Sequence, residues 1–177
     1  MYLIVGLGNP DPHYKYTRHN FGMLAVDAYV DALKESFSRS AELRADLVET
    51  KLNDKKVIFM RPRTYMNDSG SAVRAVIDAF KIPTQQVLVL YDDTTLPFGE
   101  IDLRATQSSA GHNGMKSIYQ HWPSGAPLPY RLRIGIDEPS LHIEKADFVL
   151  SSFSKEERAS LPDIFVKTGS AIDHFIA

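Results

Sequence analysis

A chain of 177 residues with 44% hydrophobic residues, 24% charged residues, 10 Gly and 10 Pro has the make-up of one soluble globular domain, read as 1–177. No apolar run approaches the roughly 20 residues that a bilayer crossing needs, and a sequence without cysteine can hold no disulfide framework, thiolate nucleophile or cysteine-based zinc site. Twenty Lys+Arg against 22 Asp+Glu leave a net charge of −2, so bulk charge does not point to nucleic acid, although a few placed cations are enough for phosphates.

Met1-Tyr2-Leu3-Ile4-Val5 runs straight into Gly6-Leu7-Gly8-Asn9-Pro10 and reads as a buried first strand entering a turn, not as a secretion signal. From Phe21 to Leu33, the apolar residues Met23, Val26, Val30 and Leu33 recur at three- and four-residue spacing, as one helical face requires. Asp46–Leu52 and Val57–Met60 read as two strands of a hairpin turning at Asn53-Asp54. Pro62 ends that second run, and Thr64-Tyr65-Met66-Asn67-Asp68-Ser69 leads into a helix with Val73, Val76, Ile77 and Phe80 on its face.

Val87–Tyr91 is continuously apolar, as in a strand covered on both faces, and is expected to stop at Asp92-Asp93. Glu100–Ala105 and Arg131–Ile136 alternate like strands, a short helix is expected within Gly111–Gln120, and His121 to Pro129 reads as a surface loop. Ser154-Lys155-Glu156-Glu157 fits a capping box that opens a last helix towards Phe175. Strands alternating with helices predict an α/β fold, a three-layer sandwich with a mixed central sheet flanked by helices.

In such sheets functional groups gather beyond the carboxyl ends of strands. Those positions hold Asn9, His19, Asn20, Asn67, Asp92, Asp93, His112 and Asn113. The set suits acid/base chemistry on an amide- or ester-like carbonyl: a histidine base, His19, paired with a carboxylate, Asp92, and side-chain amides to hold carbonyls. No Gly-x-Ser-x-Gly elbow and no cysteine is present, so water is the expected nucleophile. Taken singly, each piece has a plainer reading. Asn9 could accept an unusual backbone angle after Gly8, His19-Asn20 and His112-Asn113 could start helices, and Asp92-Asp93 could be turn residues. The Rossmann fingerprint fails because Asp11 stands where its third glycine belongs, and no His-Glu-x-x-His helix is present, so no metal is expected.

Gly6-Leu7-Gly8-Asn9-Pro10, Tyr14, Thr17-Arg18-His19-Asn20 and Gly22 together resemble the opening signature of the bacterial peptidyl-tRNA hydrolase family. Further blocks follow in family order: Arg61-Pro62 with Thr64-Tyr65-Met66-Asn67 and Ser69-Gly70, Asp92 with Leu96-Pro97 and Gly99, and Gly111-His112-Asn113-Gly114 with Lys116-Ser117. Arg131–Ile136 and Phe148-Val149-Leu150 complete a likeness that covers about residues 2–153.

The absence of cysteine and of a secretion signal reads as cytoplasmic, and the resemblance implies an enzyme, expected as a monomer, that cleaves the ester between a peptide and its tRNA, with no metal or organic cofactor and no membrane partner. It implies that His19 activates the attacking water and that Asp92 orients and polarises it. Asn9, Asn67 and Asn113 would hold the peptide backbone or the water, Tyr14, Tyr65, Met66 and His112 would shape the cleft, and Arg104, Lys116 and Arg133 would face the nucleic acid. The chain departs from the family pattern at 105–110, where relatives are richer in glycine and a less mobile loop is implied, and at Asp102, Asp137 and Glu138, where charge is lost from the tRNA side. It also stops at Ala177, earlier than many relatives, so a shorter tail is expected. Weaker tRNA binding and a shallower salt dependence should follow. The competing expectations are a relative that binds RNA or protein without turnover, and a hydrolase of small amides or esters.

Overall fold

The structure is a computed structural model and describes residues 1–105 and 108–177. In chain order the elements are β1 (Tyr2–Gly6), α1 (Phe21–Ala32), β2 (Ser38–Ser40), β3 (Ala45–Leu52), β4 (Lys55–Pro62), α2 (Ser69–Phe80), β5 (Val87–Pro97), β6 (Ile101–Arg104), α3 (Asn113–His121), β7 (Tyr130–Asp137), α4 (Lys145–Val149) and α5 (Lys155–Ile176). The strands form one seven-stranded sheet in the order β2-β3-β4-β1-β5-β7-β6. Its centre, β4-β1-β5-β7, is parallel, while β2 and β3 at one edge and β6 at the other run antiparallel. This is the mixed sheet that the alternating pattern predicts.

Period-two alternation divides the central strands between two cores. Ile4, Val57, Phe59, Leu88 and Leu90 point to the face covered by α1 and α5. Leu3, Val5, Ile58, Met60, Val87, Val89 and Tyr91 point to the face that receives Val73, Val76 and Ile77 of α2 and Met115 and Ile118 of α3. Each fully buried Leu, Ile or Val contributes roughly 1.5–3 kcal/mol, so these strands need apolar residues at consecutive positions.

Local chemistry accounts for the connections. The hairpin turns where Asn53 and Asp54 both adopt positive φ, 50° and 62°, a conformation those short polar side chains tolerate. The Ser154 hydroxyl accepts from the Glu157 N–H at 3.1 Å and the Glu157 carboxylate accepts from the Ser154 N–H at 2.8 Å, which is the predicted capping box. β2 and α4 were not legible in the sequence, being only three and five residues long.

One expectation is corrected here. β5 does not stop at Asp92-Asp93 but continues to Pro97, with a break in its register against β7 between Asp93 and Pro97. Both aspartates therefore lie within the strand and point to opposite faces, each 2% exposed, and neither is a turn residue. Thr106 and Gln107 lie outside the described residues, and with them the expectation about the mobility of loop 105–110.

Candidate active site

The site sits beyond the carboxyl end of β1, beside β5. Leaving β1, the Leu7 N–H donates to the Leu90 carbonyl at 3.0 Å, and the Leu7 carbonyl accepts from Met23 at 3.0 Å, so the loop is tied to the start of α1. α1 presses on β5 at Gly22, where an added Cβ would stand 2.0 Å from the Leu90 carbonyl oxygen. That close approach requires glycine. It brings the 3-10 turn Arg18–Asn20, immediately before α1, against the buried part of β5.

His19 Nδ1 lies 3.0 Å from each oxygen of Asp92, and His112 Nε2 lies 2.9 Å from Asp92 Oδ1. The two rings are 4.8 Å apart. His112 also caps α3, because its Nδ1 accepts from the Met115 N–H at 3.3 Å. Since that nitrogen is an acceptor, Nε2 carries the proton of neutral His112 and donates to Asp92. The helix-start reading of His112 thus holds, and the same ring also contacts Asp92. The carboxylate likewise fixes the proton of neutral His19 on Nδ1 and leaves the lone pair on Nε2, which has no protein partner among the described residues.

Three titrations are coupled at this point. Burial would lower the His19 pKa, but the charge and hydrogen bond of Asp92 outweigh it and hold the ring above the ordinary histidine value. For His112, burial dominates over Asp92 and the pKa falls. Burial would raise Asp92, yet the two imidazoles pull its carboxyl well below the usual range. The site therefore contains a permanent carboxylate, one neutral donor and one imidazole poised to exchange a proton. The ligand atoms of His19, Asp92 and His112 all lie within 4.8 Å of one another and could surround a metal ion. Such an ion would have to displace the hydrogen bonds that now satisfy the carboxylate.

Two cavities meet at His19. One, about 420 Å³, is walled by Tyr14, Tyr65, Met66, Val149 and Leu150, with the amides of Asn9, Asn67 and Asn113 among them. The other, about 370 Å³, is bounded by Asp92, Asp93, Thr94, Gly111, His112, Asn113, Glu144 and Lys145. Asn9 is not at a positive φ, so its presence owes nothing to an unusual backbone angle. Its backbone pairs reciprocally with the Asn20 side chain, at 2.8 Å and 3.0 Å, and its Oδ1 accepts from the Met66 N–H at 2.9 Å. The Nδ2 of Asn9 is left as a fixed donor beside the cavity. Asn20 is thus no side-chain cap for α1; it holds Asn9.

The sequence reading missed the far wall. Arg18, 3% exposed, donates to Ser151 Oγ at 2.5 Å and to the Ser152 carbonyl at 2.8 Å, pairs with Glu157, and lies 4.5 Å from the centre of the Phe148 ring. It ties the His19 turn to α4, whose Ala146 and Val149 line both cavities. The signal was present in Arg18, embedded between Thr17 and His19, but its partners lie more than 130 residues away.

Among the residues expected to face nucleic acid, Lys116 is exposed and Arg104 is half exposed beside Asp102 at 2.5 Å. Arg133 is placed otherwise. Its Nε donates to Asp93 at 2.7 Å, Nη1 to Asp102 at 2.7 Å and Nη2 to Thr95 at 2.9 Å, so its guanidinium is spent inside the fold. Asp92, for its part, contacts both histidines and is 2% exposed.

A sequence model of the family described as peptidyl-tRNA hydrolase matches residues 3–177. A peptidyl-tRNA hydrolase of Bdellovibrio bacteriovorus is 39% identical over 178 residues, covering 99% of this chain and 93% of the relative. One from Gloeobacter violaceus is 43% identical over 175 residues, with 99% and 87% covered. The crystal structure of peptidyl-tRNA hydrolase from Acinetobacter baumannii superposes with a TM-score of 0.90 at 28% identity, covering 99% of this chain and 88% of that one.

Proposed function

The chain belongs to the peptidyl-tRNA hydrolase family, and from that premise we propose that it hydrolyses the ester of peptidyl-tRNA with water activated by His19. The observation that carries the reading is the bond from His19 Nδ1 to both oxygens of Asp92, with Nε2 unpartnered among the described residues where two cavities meet.

Neutral His19 takes a proton from water at Nε2 as the water oxygen attacks the ester carbonyl, and the imidazolium that forms is stabilised by buried, ionised Asp92. The tetrahedral intermediate then collapses: the bond from the carbonyl carbon to the ribose oxygen breaks, and that oxygen receives the proton from His19. Asn9 Nδ2 is a donor for a peptide carbonyl, with Asn67 and Asn113 beside it, in the manner of preorganised oxyanion donors. The cavity walled by Tyr14, Tyr65, Met66, Val149 and Leu150 suits peptide side chains. The cavity on the Thr94–Glu144 side, bounded by Asp93, Thr94, Asn113 and Lys145, suits the terminal nucleoside. His112 steadies Asp92, while Arg104 and Lys116 are placed for the more distant tRNA. The reading includes action as a monomer, and the cysteine-free sequence supports a cytoplasmic setting. No helix among the described residues is long and apolar enough to cross a membrane.

The test is incubation with peptidyl-tRNA and, separately, with a free peptide ester, measuring deacylated tRNA and released peptide. Release of deacylated tRNA, abolished in His19→Ala, is the expected result. Tight RNA binding without release would support a binding role instead, and equal cleavage of the free ester would support a small-ester hydrolase.

A further inference from the structure

The basic side chains around the cleft are for the most part already neutralised within the fold. Arg18 is committed to Glu157, Arg133 to Asp93 and Asp102, and Arg104 to Asp102, while Arg131 is withdrawn by burial, 2% exposed, where it donates to Tyr91 Oη and to the Ser108 carbonyl. Lys145 differs. It is the one Lys or Arg among the described residues bounding the cavity on the Thr94–Glu144 side. It is exposed, and its Nζ reaches across to a neutral partner, the Ala110 carbonyl, at 3.3 Å.

The residues around that ammonium make room for it. Ala110 stands at φ 49° and Gly111 at φ 76°, two successive left-handed residues that turn the Ala110 carbonyl towards α4. That conformation is sterically unfavourable for alanine. A side chain at position 111 would begin 3.2 Å from Lys145 Nζ, so glycine there leaves the ammonium its space. A long hydrogen bond to one carbonyl satisfies one of three ammonium donors and none of its charge.

Resting on the proposed hydrolysis of peptidyl-tRNA, we propose that Lys145 is the phosphate-binding residue of this site, pairing with the phosphodiester that joins the last two nucleotides of the substrate. That phosphate lies one ribose from the ester, on the nucleoside side of His19. The negative wall is partly offset: Asp93 is paired with Arg133, and Asp92 is buried and accepts hydrogen bonds from His19 and His112. Glu144 is exposed beside Lys145 and is the carboxylate that competes for it.

The test compares two peptidyl esters that differ by a phosphate, one of the dinucleotide CpA and one of adenosine alone. In Lys145→Gln the side-chain amide can still donate to the Ala110 carbonyl, but the charge is gone. The ratio of kcat/KM for the CpA ester to that for the adenosine ester should fall about tenfold, through KM, as for loss of a hydrogen bond to a charged group. In Glu144→Gln the same ratio should rise, by about two- to threefold for an exposed pair. A ratio unchanged in Lys145→Gln overturns the proposal, whether both substrates suffer equally, as they would if Lys145 only held Ala110, or neither does. Should the unaltered protein cleave neither ester nor peptidyl-tRNA, the hydrolase reading itself falls, and the phosphate site with it.

Discussion

Asp92 and Asp93 are neighbours on one strand, equally buried, and their surroundings give them different work. Asp92 faces two imidazoles, whose protons can move. Asp93 faces Arg133, whose proton does not move, and its remaining lone pairs are filled by the Thr95 N–H at 2.8 Å and the Thr95 hydroxyl at 2.6 Å. Burial would raise the pKa of both, and in both it is outweighed, by the histidines for Asp92 and by the hydrogen bonds of Arg133 and Thr95 for Asp93. A buried carboxylate becomes chemically useful when its partner retains a free lone pair. Paired with a guanidinium it only stiffens the fold, here holding the bent end of β5 against β7.

The sharpest way to break this comparison is at its reactive partner. His19→Ala should remove about 10²–10⁴ in single-turnover hydrolysis of peptidyl-tRNA with the thermal midpoint little changed; near-normal turnover would sink the assignment. Asp92→Asn should cost almost as much, because an amide neither stabilises imidazolium nor enforces the tautomer with the proton on Nδ1. Asp93→Asn should behave oppositely. Turnover measured on folded protein should stay within about threefold, while chemical denaturation should show a loss of roughly 1–3 kcal/mol from a buried charged hydrogen bond.

The pH profile sharpens the same contrast. Hydrolysis requires neutral His19, so its rate should climb with pH through a midpoint above the ordinary value of about 6.5. In Asp92→Asn that midpoint should drop below the ordinary value, since burial persists without the anion. Stability follows the same shifts with opposite signs. The raised pKa of His19 contributes fully below about pH 6.5, and that contribution disappears as pH rises through its folded value. The depressed pKa of Asp92 contributes above about pH 3.9, and that part disappears as pH falls towards its folded value.

Smaller effects are expected further out. His112→Ala removes one donor from Asp92 and should slow turnover by roughly 2- to 12-fold, the equivalent of one ordinary hydrogen bond. Because Asp92 then shares its charge with fewer donors, the midpoint of the pH profile should move up. With Arg133 neutralised inside the fold, the salt dependence of tRNA binding should be shallow. Each tRNA phosphate left without a protein cation lowers the slope by about one unit, and titration beside a more basic relative would measure it.

How much of this was legible depends on the range of the interactions. Elements with their own periodicity or capping chemistry, such as α1, α2, the Asn53-Asp54 hairpin and the Ser154 capping box, were readable because neighbours within a few residues decide them. The extent of β5 was not: Asp-Asp is ordinarily a turn signal, and only the pairing of Asp92 with Ile134 and Asp93 with Gly135 keeps the strand going. That His19, Asp92 and the asparagines gather at one cleft was legible too, since strand ends collect such residues. Their partnerships were not. The family resemblance implies that Arg133 faces tRNA, and in the fold Asp93 and Asp102 pair with it.

By itself the sequence determined the layered α/β architecture and the chemical stock of the cleft: an imidazole, a carboxylate and amides, with no thiol. Periodicity, glycine turns and composition are local properties, set by residues close together along the chain. The tertiary structure alone decided that His112 joins His19 on one carboxylate, that Asn20 aims Asn9, that Arg18 anchors the α4 wall, and that Lys145 rather than Arg133 meets the cleft. Charge and proton affinity are set by what lies within a few ångströms in space, and those neighbours come from opposite ends of the chain.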